Sequence, residues 1–246
     1  MKKGENMKKF FCVLCGICLF YMGYAQEKEV RAVIETNFVR LAKAGHYDGS
    51  LFYRVIKNFV IQGGSSDSKK AIKGAAIGYG KPIVIDAEIK PEHYHKKGAL
   101  AAPRQPDRVN FFKESDISQF YIVQGRKYDP KELDIIEKQV NVPIKKAILD
   151  TLRKQKKVKE FREIAEKIKQ DIAFDWNANP NKIYMPEEKR NAYINEGGIH
   201  HLDKEYTVFG EVIEGFEVID KIAALPTDGN DRPITDVRIK VRILSE

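Results

Sequence analysis

The sequence predicts a mainly β domain with short helices, interrupted by an α-helical insertion over residues 127–196. Three observations carry that reading. Val30–Ile34 and Phe52–Ile61 are rich in β-branched and aromatic residues, the composition of strands. Val237, Ile239, Val241 and Ile243 alternate with Arg238, Lys240 and Arg242, the period of two of a strand with one buried and one wet face. Between Lys127 and Glu196 the apolar spacing changes to three and four, which is the period of a helix.

The N-terminus has a different character. Lys2, Lys3, Lys8 and Lys9 precede an apolar run from Phe10 to Phe20, and Gly23-Tyr24-Ala25 follows. This is the pattern of a secretory signal peptide over residues 1–25, with cleavage expected after Ala25. The run falls short of the ~20 residues of a membrane-spanning helix, so no stable membrane insertion is expected after cleavage. Cys12, Cys15 and Cys18 all lie in this segment; neither Cys15 nor Cys18 is preceded by a good lipidation motif, and the rest of the chain must be held by a packed core without disulfides. Losing four Lys and one Glu lowers the formal charge from +8 to +5. The expected destination is the periplasm, with outer-membrane association or secretion as variants.

Along the remaining chain, a helix is expected near Thr36–Ala44, with Phe38, Leu41 and Ala42 inward and Gly45 as its stop. Phe120–Val123 reads as a short strand and Glu217–Ala224 as a helix burying Val218, Ile219 and Ile222. In the insertion, Asp129-Pro130 is an N-cap followed by proline at the first helical position. Leu133, Ile136 and Val140 should form that helix's inner stripe; Pro143 should open a second helix with Ile144, Ile148 and Leu152, and a third should carry Phe161, Ala165, Ile168 and Ile172.

Chemistry concentrates in Leu51–Gly64, LFYRVIKNFVIQGG. Read as one strand, it places Arg54 and Phe59 on opposite sides, so a bend or bulge is needed to bring them together; Gly63-Gly64 allow positive φ and close backbone approach. This stretch resembles the signature of the cyclophilin family of peptidyl-prolyl cis-trans isomerases. Gly74–Glu88 resembles the family's glycine-rich loop, His95–Ala101 with Ser118–Ile122 its central block, and Leu202–Gly210 with Glu211–Gly215 its third block.

The resemblance implies a cyclophilin-like antiparallel β-barrel formed by residues 26–126 and 197–246. Because Val30–Glu35 runs directly into the first helix, it also implies a barrel one N-terminal strand short. Arg54 matches the catalytic arginine, Phe59, Tyr121 and Leu202 the walls of the proline pocket, and Gln62 the glutamine that positions the substrate backbone. Tyr53 stands in place of the usual His. Ala102, Pro103 and Arg104 replace Met-Ala-Arg or Met-Ala-Asn, His201 a tryptophan, and Tyr206 a pocket histidine. Proline-containing unfolded or flexible polypeptides are the implied partners, met by a monomer that assists folding of exported proteins without metal or cofactor. Pro103 and the missing strand leave a second reading, a client-binding chaperone with a weak or inactive barrel.

Other signals carry less. Gly74–Lys81 fails as a phosphate loop, since Ala75 and Pro82 occupy places that need Gly and Ser/Thr. His93 with His95, and His200 with His201, lack companions at metal-ligand spacing. The basic stretch Lys145–Lys159 reads as a solvated helix face, and no nucleic-acid partner is expected.

Overall fold

The computed structural model describes residues 10–17, 28–34, 36–79, 82–142, 151 and 158–244, and in some of these elements the backbone alone. The chain divides into two compact units, one made of Met1–Arg126 with Glu196–Glu246 and the other of Lys127–Asn195.

The first unit is built on an eight-stranded sheet. Its strands are β1 (Phe10–Ile17), β2 (Lys28–Ile34), β3 (Phe52–Val55), β4 (Val60–Gly63), β6 (Ala99–Ala101), β8 (Phe120–Val123), β9 (Val208–Glu214) and β10 (Arg238–Leu244). Their order is β10-β1-β2-β9-β6-β8-β4-β3, and the paired strands are antiparallel. A bridge between Leu51 and Arg238, with hydrogen bonds from Phe52 N to Val237 O and from Ile239 N to Ser50 O, brings the two edge strands together at one end. A separate two-stranded ribbon pairs β5 (Val84–Ile85) with β7 (Ser115–Asp116).

In the full-length chain the strand expected to be missing is present. Phe10–Ile17, the apolar run read as the core of a leader, pairs with β10 on one side and β2 on the other. An apolar segment of this length satisfies both descriptions, because periodicity cannot separate a leader core from a buried strand. The flanking residues 18–27, including the expected cleavage site, lie outside the described residues.

Alternation across the sheet assigns each side chain to one of two faces. Ile61, Leu100, Phe120, Ile122 and Ile239 enter the main core, with Phe38, Ala42 and Tyr47 from α1 (Thr36–Lys43) and the loop after it. Phe38 stacks on Tyr47 at 4.4 Å between ring centroids and meets Phe120 edge-on at 5.2 Å. The helix Phe216–Ala223 covers the same core with Val218, Ile219 and Ile222. Gly45, at φ 69°, ends α1 in the left-handed conformation. The intervening residues Val60, Ala99, Ala101, Tyr121 and Val123 point to the opposite face and form a second cluster with Ile199, Leu202 and Val208.

In the second unit, α2 (Pro130–Val140) starts as the sequence predicts, Asp129 accepting from the Lys131 N–H at 2.8 Å with proline at the first turn. Leu133 and Ile136 are buried, but Val140, expected on the same stripe, is 48% exposed in the last turn. The helix α3 (Val158–Ala178) buries Ile168 and Ile172, and α4 (Glu187–Asn195) buries Tyr193; with these labels the helix Phe216–Ala223 is α5. The expected helix from Pro143 through Leu152, and most of the basic stretch Lys145–Lys159, lie outside the described residues.

Candidate active site

The segment read as one strand is a hairpin. β3 turns through Ile56–Phe59, with Asn58 at φ 60°, and returns as β4. The turn solves the geometric problem posed by strand alternation: Phe59 lies at the end of the loop and no longer on the opposite face from Arg54. The Arg54 guanidinium carbon sits 6.0 Å from the Phe59 ring centroid.

Register then aligns the site. Arg54 pairs with Gln62, Gln62 with Tyr121, and Tyr121 with Ala101, giving one row across β3, β4, β8 and β6. Cross-strand neighbours on one face lie about 4.5–5.5 Å apart, so this row places the arginine, the glutamine and the aromatic wall side by side. A one-residue slip of any strand would turn its member into the core. Gly63 permits the close strand approach beside it: a Cβ there would lie 2.9 Å from the Leu51 carbonyl oxygen. Gly64, at φ 90°, makes the turn out of β4.

These residues line a cavity of about 280 Å³. Arg54 and Gln62 form one wall and Phe59, Tyr121 and Leu202 the apolar part, while Pro103, Arg104 and Tyr206 close the far side. Eight of the eleven residues expected at the site therefore meet in one place. His201 stands at the edge, its ring parallel to Phe59 at 6.0 Å.

Two other residues expected at the site do not line this cavity. Ala102 lines a different cavity with Asp116, Gln119 and Thr207, because alternation after β6 turns Ala101 and Pro103 toward the site and Ala102 away from it. Tyr53 is buried with Leu51 and Ile77 behind the arginine wall. It falls at a register irregularity in β3, between the Phe52–Gly63 and Arg54–Gln62 pairs, and a bulge of this kind re-aims a side chain. Its hydroxyl accepts from Gln62 Nε2 at 2.6 Å and donates to Gln119 Oε1. Burial pushes this hydroxyl's pKa far above the usual tyrosine value, with Gln62 acting in the opposite direction. It stays protonated and serves as a fixed bridge.

The bridge extends in both directions. Gln119 Nε2 donates to Asp116 at 2.9 Å, and Gln62 Oε1 accepts from Arg54 Nη1 at 3.5 Å. On its other side Arg54 Nε lies 3.6 Å from Asp231. Asp231 arrives from a distant turn, at φ 60°, where its carbonyl accepts the Val55 N–H at 2.7 Å. Asp231 was not legible as a site residue; its sequence signal, the Asp228–Asp231 cluster with Gly229, marks a turn and nothing about what the turn faces.

Beneath the apolar wall lies a second network that sequence reasoning passed over. His95 is fully buried. Its Nε2 is 2.9 Å from the Tyr121 hydroxyl and its Nδ1 3.2 Å from Asp203, which also accepts the His95 backbone N–H at 2.8 Å. A carboxylate can only accept, so in the neutral ring Nδ1 carries the proton and Nε2 accepts from Tyr121. Burial raises the Tyr121 pKa well above its ordinary value, which keeps the donor intact. Among the described residues no three His, Cys, Asp or Glu side chains come together to hold a metal ion.

The sequence matches the family model "Cyclophilin type peptidyl-prolyl cis-trans isomerase/CLD" over residues 30–175 and 178–242. The chain belongs to this family. Curated relatives agree. It is 30% identical over 208 residues to a Streptococcus pyogenes protein assigned as a bifunctional phosphatase/peptidyl-prolyl cis-trans isomerase, covering 83% of this chain and 32% of that one. It is 29% identical over 204 residues to a Staphylococcus haemolyticus protein assigned as a peptidyl-prolyl cis-trans isomerase, covering 83% of this chain and 76% of that one. Among solved structures, a cyclophilin-type isomerase from Cryptosporidium parvum superposes with a TM-score of 0.51 at 20% identity, over 96% of this chain and 99% of that one. At that identity the likeness speaks for the fold, and it accords with the cyclophilin-like sheet described above.

Proposed function

We propose that this chain, an isomerase of the cyclophilin type, turns X-Pro bonds in the cavity around Arg54. The observation that carries the proposal is the cross-sheet row Arg54–Gln62–Tyr121 opening onto an apolar cavity. Amide resonance sets a rotation barrier of ~18–20 kcal/mol. In the twisted state that resonance is lost and the proline nitrogen regains its lone pair. A guanidinium, charged at any working pH, donates to that nitrogen more strongly as the lone pair forms. Phe59, Tyr121 and Leu202 hold the ring while Gln62, fixed by Tyr53, keeps the adjoining main chain in place. Rate acceleration comes from interactions strongest in the twisted form, and no bond to the enzyme is made.

The substrates in this reading are proline-containing unfolded or flexible polypeptides, bound by a monomer. The lysine-led apolar run Phe10–Phe20, followed by Gly23-Tyr24-Ala25, supports export, and helping exported proteins to fold is the role that follows. The leader and β1 occupy the same residues, so mass determination of the protein recovered from the envelope and cytosolic fractions decides between them: a mass starting at Gln26 in the envelope fraction supports export with cleavage, and a full-length chain in the cytosol overturns it.

One observation favours the chaperone reading. Pro103 lines the cavity without an N–H, and its carbonyl accepts from Asp116 N at 2.9 Å, so this wall offers the substrate little main-chain bonding. A proline-peptide isomerisation assay on the wild type and Arg54→Ala separates the two. Rates for both at the uncatalysed level, with retained suppression of client aggregation, would overturn the enzyme reading.

A further inference from the structure

The loop from Arg104 to Glu114 ends the far wall of the cavity and projects three apolar side chains into solvent. Phe111 is 85% exposed, Phe112 78% and Val109 64%. The two phenyl rings contact only edge-on, at 5.5 Å and 85°. Single exposed apolar residues need no explanation, but two adjacent exposed aromatic rings on a loop that starts in the cavity wall call for one.

The loop is firmly built. Asn110, itself buried, donates through Nδ2 to Glu114 O at 2.8 Å and accepts the Glu114 N–H at 2.9 Å. The Val109 and Asn110 N–H groups both donate to Pro106 O. Arg104, with only 5% of its side chain exposed, pairs with Glu205 at 3.1 Å, and Lys113 pairs with the same carboxylate oxygen at 2.7 Å. One carboxylate thus pins both ends of the loop. Arg104 also lines the proline cavity, and its guanidinium lies 4.7 Å from the ring of Tyr206, another cavity residue. Arg104 at the cavity and Lys113, the neighbour of Phe112, thus meet on one carboxylate, which ties the loop carrying the aromatic pair to the cavity wall on a preorganised support and lowers the ordering cost of binding.

We propose that Phe111 and Phe112 form an accessory subsite that grips an apolar side chain of the same polypeptide whose proline occupies the cavity. This rests on the isomerase reading of that cavity. An aromatic pair favours large apolar or aromatic partners, which it covers without needing directed hydrogen bonds. The enzyme would accordingly prefer prolines flanked by residues that are buried in folded proteins, and so would select unfolded chains.

The test uses a short X-Pro tetrapeptide and versions extended at either end by leucine and phenylalanine or by serine. With wild type, kcat/KM for one apolar extension should exceed that for the matching serine extension by about tenfold, which corresponds to about 1.4 kcal/mol. The double variant Phe111→Ser/Phe112→Ser should lose that preference while turning over the tetrapeptide within twofold of wild type. Phe111→Leu/Phe112→Leu should retain most of it. Equal preference in wild type and the serine variant would overturn the proposal, as would no preference in wild type. Concentration-dependent dimerisation through the pair, with peptide preference unchanged, would also overturn it. Anisotropy of the labelled apolar peptide gives binding independently of turnover. A wild type that binds it Phe-dependently but isomerises nothing would thus refute the isomerase reading and leave the subsite standing.

Discussion

The two walls of the cavity are made in different ways. Arg54 and Gln62 sit on paired strands, where ladder register and the Tyr53–Gln119–Asp116 relay fix their positions. Pro103 and Arg104 leave the sheet, and their wall is held by single contacts: Asp116 N–H to the Pro103 carbonyl, Arg104 Nε to the Glu205 carbonyl, and ion pairs of Arg104 and Lys113 to the Glu205 carboxylate, whose side chain is 40% exposed. Sheet register resists displacement because a slip would unpair many groups at once. Ion pairs at the surface are each worth about 0–1 kcal/mol and weaken with salt. On the proposed function, the strand wall would set the chemical step and the loop wall would tune which substrate is held.

Replacing Arg54 with Ala gives the sharpest test of that division. It should lower kcat/KM by about 100-fold or more in a proline-peptide isomerisation assay. Because the Arg54 side chain is partly exposed and its partner Asp231 more so, the melting temperature should move by less than about 2 °C. A comparable loss of kcat in Glu205→Gln would break the distinction between the walls.

Tyr121→Phe probes the floor shared by both. It deletes the hydroxyl that satisfies His95 Nε2, and leaving that buried acceptor unpaired should cost about 1–3 kcal/mol, read by chemical denaturation. The double variant His95→Leu/Tyr121→Phe removes both polar partners and should recover part of the loss; a single-variant loss near zero would show that the pair does not hold the floor.

Glu205→Gln should act more weakly and differently. Loss of the charge shared by Arg104 and Lys113 should raise KM about two- to fivefold with kcat nearly unchanged, because the Glu205 carbonyl still accepts from Arg104 Nε and a pair to so exposed a carboxylate is worth little. The gap from wild type should narrow in 1 M salt, and persistence of the full gap there would argue against an ion-pair mechanism.

The smallest effect lies away from both walls. Asp220 accepts from Lys97 Nζ at 2.6 and 2.8 Å and from Gln124 at 3.1 Å. Burial opposes ionisation, but the Lys97 and Gln124 contacts outweigh it and hold the Asp220 pKa below its ordinary value. A carboxyl with a depressed folded pKa contributes stability above its unfolded pKa of about 3.9 and loses it as pH falls through the folded value. Asp220→Asn should therefore cost under about 1 kcal/mol at pH 7. Thermal melts of the two proteins should converge as the pH drops below 4.

Much of this was written locally in the chain. The stops and caps at Gly45 and Asp129, the inward stripes of α1 and α5, and the alternation of β10 all depend on neighbours a few residues away. So did the grouping of Arg54, Phe59, Gln62, Tyr121 and Leu202, through the ordered blocks in which they stand. The hairpin was harder to read, because Lys57-Asn58 has no glycine to announce a turn, and the left-handed Asn58 is an exception that only side-chain chemistry allows. Ala102 was misplaced because a matched block gives proximity in sequence without the facing of each side chain.

What the sequence alone determined is which short segments become strand or helix and which residues can carry the chemistry, since propensity, capping and periodicity act over a single turn or ladder repeat. Tertiary structure decided the rest. It set Asp231 beside Arg54, His95 under Tyr121, Glu205 between Arg104 and Lys113, and Phe10–Ile17 between β2 and β10. Each of these contacts joins positions far apart in the chain, and only the pairing of strands that brings them together fixes who meets whom.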